Sequence, residues 1–97
     1  MHSNKQQYKH PNRLDVYRRR MGFSLALVAE LLGHQDSTTV SGYERSQRLP
    51  SLVNAFRLGI ILRVPIEFIF PSLYDQLRME IRTQEERLAQ PSQQVLF

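Results

Sequence analysis

The stretch from Ser24 to Arg45 reads SLALVAELLGHQDSTTVSGYER, and its punctuation decides the architecture. Ser24 offers a hydroxyl to the free amides of a first helical turn. Residues 25–32 then run without a breaker to Gly33, which can take the left-handed conformation that closes a helix. His34, Gln35, Asp36 and Ser37 make a polar turn, and Asp36 or Ser37 can cap a further helix over 38–45 whose buried face would be Val40 and Tyr43. Two short helices separated by a Gly-containing turn follow, the second of them small and polar on its outer side.

Upstream, Leu14, Tyr17 and Met21 recur at spacings of three and four, which predicts a helix over 13–21, with Arg18, Arg19 and Arg20 on its far side and end. Residues 1–10 are polar and unperiodic, and Pro11 with Asn12 supplies a stop and a cap. Residues 1–12 are therefore expected to be a flexible basic arm. Downstream, Ser51 caps a helix from Leu52 to about Arg63, with Leu52, Ala55, Phe56, Gly59 and Leu62 as its expected core side. Pro65 opens a short helix over 66–70, which Pro71 is expected to end. A sixth helix runs from beyond Ser72 to about Gln90, with Leu73, Leu77, Ile81 and Leu88 as a narrow apolar stripe. Residues 91–97 should fray. The expected fold is all-α: a compact five-helix domain over 13–70 and an additional C-terminal helix over 71–90.

The 97 residues can bury roughly 65% of their unfolded surface, enough for one small domain. With 41% apolar and 23% charged residues the chain is neither disordered in composition nor a membrane span. There is no cysteine, which excludes disulfides and thiolate metal sites, and residues 1–12 show no apolar secretory segment. The expected compartment is the cytoplasm. Net charge is +5 over residues 1–20, +1 over 21–64 and −2 over 65–97, so one end attracts polyanions and the other avoids them.

Two helices joined this way form a helix-turn-helix unit, whose second helix enters the major groove of DNA. The chain resembles the lambda-repressor-like (Cro or XRE type) family in Gly22-Phe23-Ser24, Val28-Ala29, Leu32-Gly33, Ser37-Thr38-Thr39-Val40-Ser41, Tyr43-Glu44-Arg45 and Pro50-Ser51-Leu52, over about residues 13–70. The resemblance implies a double-stranded DNA-binding transcriptional regulator, in the repressor role, with no catalytic activity, cofactor or metal. It implies that Ser37, Thr38, Ser41 and Gly42 face the groove, with Gln35 as an alternative first contact and Thr39 on the flank. Arg45 would reach a base or phosphate, Arg48 a phosphate, and Arg18 and Arg19 the DNA backbone. Ser46 and Arg63 stand where the family commonly has Gly, so each must adopt a strained conformation or a different cap.

Other readings compete. Leu27 and Leu31 sit where family members are usually polar, which suggests cover by the N-terminal arm, the sixth helix or a partner chain, the last for example in an antitoxin-like module on the same fold. The stripe Leu73, Leu77 and Ile81 fits either packing on its own domain or pairing in a homodimer. The run Leu32-Gly33-His34 with Tyr43 nine residues later is similar to a local step of tyrosine recombinases, but the chain lacks the length and the upstream His-x-x-Arg box of that chemistry. Tyr43 is expected as a buried anchor instead. His2, His10 and His34 lack the spacing of a metal site.

Overall fold

The computed structural model describes residues 10–89, and among them the chain forms six α-helices and no strand. They are α1 (Leu14–Arg20), α2 (Leu25–Leu31), α3 (Thr38–Glu44), α4 (Leu52–Leu62), α5 (Ile66–Ile69) and α6 (Pro71–Leu88). The sequence boundaries hold within about two residues. Pro71 begins α6 instead of only ending α5, because a first helical position needs no amide donor.

The local signals act as their chemistry requires. The Ser24 hydroxyl accepts from the Leu27 amide at 3.0 Å and the Ser51 hydroxyl from the Asn54 amide at 3.2 Å. For α3 the capping oxygen belongs to Asp36, which accepts from the Thr38 amide at 2.9 Å, while the Ser37 side chain makes no capping bond. Gly33, at φ +83°, closes α2 with its amide on the Glu30 carbonyl at 3.0 Å and that of His34 on Ala29 at 2.9 Å. This paired closure satisfies two carbonyls that the helix end leaves free. Ser46 ends α3 in the same way at φ 59°, and Arg63 ends α4 at φ 60°. Both take the left-handed conformation without being Gly, at about 1–2 kcal/mol each.

The core joins Leu14 of α1, Val28, Ala29 and Leu32 of the α2 segment, Val40 and Tyr43 of α3, Leu58 and Leu62 of α4, and Ile69 and Phe70. Tyr17, Met21 and Leu73 pack against it half-buried. The apolar stripes of α1 and α3 thus face inward as their spacing predicts.

Helix α4 follows its expected rotation only in part: Leu62 is buried and Ala55 and Gly59 are half-buried as expected. Leu52 and Phe56 are 70% and 59% exposed, and Leu58 and Leu62 take the buried side. The segment LVNAFRLGIIL is apolar nearly all round, so periodicity allows more than one solution. Gly59 selects between them: a Cβ there would stand 3.0 Å from the Val64 carbonyl, so the turn into α5 needs this position bare.

The expected arm is shortened at its inner end. The His10 side chain bonds Gln76 of α6, and the Ser46 hydroxyl donates to the His10 carbonyl. Asn12 caps α1 through the Leu14 amide at 3.0 Å and donates to the Tyr43 carbonyl at 2.8 Å. Residues 1–9 of the arm and the tail over 91–97 lie outside the described residues.

Compactness holds for α1 to α5 but not for the chain with α6. The radius of gyration is 17.1 Å, against about 12 Å for a compact domain of this size, and the longest extent is 55 Å. The 18-residue α6 buries none of its residues fully and projects from the body, with Leu77 and Ile81 exposed.

Candidate nucleic-acid interface

Helix α3 is locked from behind. Val40 is fully buried and Tyr43 is 4% exposed, with its hydroxyl accepting from Asn54 Nδ2 of α4 at 3.3 Å. Tyr43 is therefore an anchor, and its enclosure leaves no accessible nucleophile for the recombinase reading. At 100° per residue, Glu44 shares the inward arc with Val40 and Tyr43. There it meets Arg18 of α1: Nε to Oε2 is 2.5 Å and Nη2 to Oε1 is 3.4 Å. Arg18 Nη1 also donates to the Phe23 carbonyl at 2.9 Å, at the turn into α2. One guanidinium thus joins α1, the start of α2 and the end of α3.

This corrects the assignment of Arg18 as a DNA contact. Only 8% of the residue is exposed, and each of its three guanidinium nitrogens donates within the protein. Burying a charge requires a partner with good geometry, and Glu44 supplies one. Two local signals were available, the place of Arg18 four residues after Leu14 on α1 and the inward position of Glu44 on the α3 wheel; their pairing across 26 residues was not legible.

With the inner arc occupied, Thr38, Ser41 and Arg45 share the outer one, at spacings of three and four. Thr38 and Arg45 are exposed and Ser41 is half-buried. Gln35 is exposed in the turn before α3, Ser37 and Thr39 are half-buried beside it, and Arg19 is exposed on α1. Arg45 donates through Nη2 to Gln47 Oε1 at 3.3 Å, a partner that sequence reading missed.

Gly42 is also corrected: it is buried, not open to a groove. The Arg48 side chain lies across it, with Nε 3.2 Å and Cγ 3.3 Å from where a Cβ would stand. Gly42 thus seats Arg48 along α3, although Arg48 itself stays exposed. Gly42→Ala is expected to raise helix stability by up to about 1 kcal/mol while displacing Arg48. Unfolding curves should move upward as duplex affinity, read by anisotropy, falls several-fold; unchanged affinity would remove the seating role.

Asp36 places a carboxylate at the head of α3. Bonds from the Thr38 amide and hydroxyl hold its pKa below the ordinary 3.8. Because the folded value is depressed, this cap is complete at neutral pH and is lost only as pH falls below the ordinary carboxylate range. Elsewhere on α1, Arg13 and Arg20 lie over the Tyr17 ring at 5.6 and 5.4 Å. No helix among the described residues is long and apolar enough to cross a membrane.

Comparison with curated proteins and with solved structures returned no match. The family model described as Helix-turn-helix matches residues 16–69, which begins in α1 and ends with α5. That family is a DNA-binding one of transcription regulators and not an enzyme family. The inward lock of α3, its outward Thr38, Ser41 and Arg45, and the match over more than half of the chain agree, and the protein belongs to the lambda-repressor-like, Cro/C1-type helix-turn-helix family.

Proposed function

We propose that this chain is a sequence-specific repressor, acting in the cytoplasm, which lays α3 in the major groove of double-stranded DNA and occludes a promoter. The arrangement of α3 supports this reading: the buried Val40 and Tyr43 and the half-buried Glu44, paired with Arg18, fix its rotation, and Thr38, Ser41 and Arg45 are left facing out. Short hydroxyls donate to or accept from base edges, and a Thr methyl meets a thymine methyl, but neither makes a bidentate base contact. Arg45 is then the principal base-reading side chain, with Gln35, Ser37 and Thr39 at the groove edge. Arg48 and Arg19 hold phosphates and set register.

Arg45→Ala should reduce discrimination between the selected site and random duplex by about 1–3 kcal/mol, whereas Arg48→Ala should weaken both about equally. Competition binding against a site selected from random duplexes measures the two effects. Equal losses on both DNAs for both variants would refute the division of labour.

Two copies would meet half-sites about one helical turn apart. Within α6, Leu73 is engaged by its own core, while Leu77 and Ile81 remain free for such pairing. The exposure of Leu27 and Leu31, 37% and 52%, favours a second reading in which α2 also holds a protein partner, as an antitoxin would. A stoichiometric partner recovered without retained duplex would select it.

A further inference from the structure

The base of α6 meets the body around a hollow of about 320 Å³, walled by the loop after Arg48 and by α4, α5 and α6. The wall is apolar: Leu49 of the loop, Ala55 of α4, Ile66 of α5, and Leu73 and Leu77 of α6, with Phe70 between the last two helices. Ala55 leaves the space open, because one methyl is all that α4 contributes there. Leu49 and Leu77 are 46% and 39% exposed, apolar surface that an occupant would take out of water.

Glu67 and Tyr74 stand at the rim, since both also line the hollow on the side of Arg13 and Tyr17. Among the described residues the Glu67 carboxylate joins no ion pair. It also borders two neighbouring hollows, and each of those has a cation in its wall, Arg63 in one and Arg13 in the other. The hollow at the base of α6 has none.

Size and charge together define what fits. Small-molecule sites enclose ~300–1,000 Å³, apolar except for a few polar groups that fix orientation. At ~30 Å³ per water-sized group this one holds about ten non-hydrogen atoms, too few for a folded partner. An anion meets the Glu67 carboxylate and the net charge of −2 over residues 65–97. A neutral occupant takes water from Glu67 and returns no partner, which is costly. An ammonium on an apolar body satisfies both the wall and the rim. We propose that this hollow is a binding site for a small apolar amine, its hydrocarbon against Leu49, Leu73 and Leu77 and its ammonium on the Glu67 carboxylate. The site does not depend on the DNA reading, and its test uses no DNA.

The probe is 4-phenylbutylamine, beside 4-phenylbutan-1-ol and 4-phenylbutanoate, which carry the same body with a neutral or an anionic head. Titration of the full chain followed by amide NMR should give a Kd near ~0.1 mM for the amine, with shifts centred on Leu49, Ile66 and Leu77. The alcohol should bind at least threefold and the carboxylate at least tenfold more weakly. Glu67→Gln should erase the preference for amine over alcohol without weakening the alcohol, which a merely structural role for Glu67 would not do. Leu49→Ser with Leu77→Ser, both at exposed positions, should weaken all three, whereas Ile60→Ser on the open face of α4 should weaken none. No binding, equal binding of amine and carboxylate, an unchanged preference in Glu67→Gln, or shifts centred on Phe56 and Ile60 overturns the proposal. Two further results would also overturn it by assigning the hollow another occupant. Amine binding gained only with Leu96→Ser and Phe97→Ser means that the C-terminal segment fills it, and affinity that falls as chain concentration rises means that a second copy does.

Discussion

Arg18→Ala is expected to cost about 3 kcal/mol of folding stability, the largest loss among single side chains that are not apolar. The substitution leaves the Glu44 carboxylate, 13% exposed, without its cation, and takes a donor from the Phe23 carbonyl. Breaking one partner of a buried pair typically costs about 3–5 kcal/mol, and the residual exposure here places the loss at the lower end. For a domain of this size that amounts to a fall in Tm of roughly 12–24 °C. The paired replacement Arg18→Met with Glu44→Met should recover most of the loss, because the cost lies in the orphaned charge and not in the absence of attraction. Urea unfolding of the three variants, followed by circular dichroism, measures it. A loss below about 1 kcal/mol for Arg18→Ala would mean that water reaches Glu44 and that the pair is not what orients α3 against α1.

The second large effect is on binding. Engagement of about four phosphates per subunit gives a slope near −3.6 for log K against log salt, so affinity should fall about 150-fold between 50 and 200 mM. Arg19 and Arg48, both exposed, are the side chains proposed for such contacts, and the sequence charge of +5 over residues 1–20 would add a longer-range attraction. Arg48→Ala should reduce the slope by about 1, whereas Arg18→Ala should leave the slope of the still-folded fraction unchanged, since Arg18 already has its counter-ion in Glu44. Anisotropy titrations at several salt concentrations decide it; a flat response would remove the electrostatic mechanism.

The contrast between Arg18 and Arg19 shows where sequence reading reaches its limit. Both lie in one basic run, but at 100° per residue Arg18 stands within about 40° of Leu14 on the inward face, whereas Arg19 points away. Its burial follows from Glu44, brought to it by the packing of α3 on α1, a contact across 26 residues for which no local pattern exists. Gly42 teaches the same lesson: a glycine within a Ser/Thr-rich helix looked open to DNA, and it is roofed by an arginine arriving from the following loop.

Helix positions, the Ser24 and Ser51 caps, the left-handed Gly33 and the inward anchors Val40 and Tyr43 were legible in advance, because hydrogen-bonding caps, glycine conformations and a 3.6-residue period act over a few neighbours. The rotation of α4, the burial of Arg18, the roofing of Gly42 and the projection of α6 were settled by packing between segments distant in the chain. An all-apolar helix such as α4 has no periodic preference strong enough to choose a face, so steric fit at Gly59 against the Val64 carbonyl chose it.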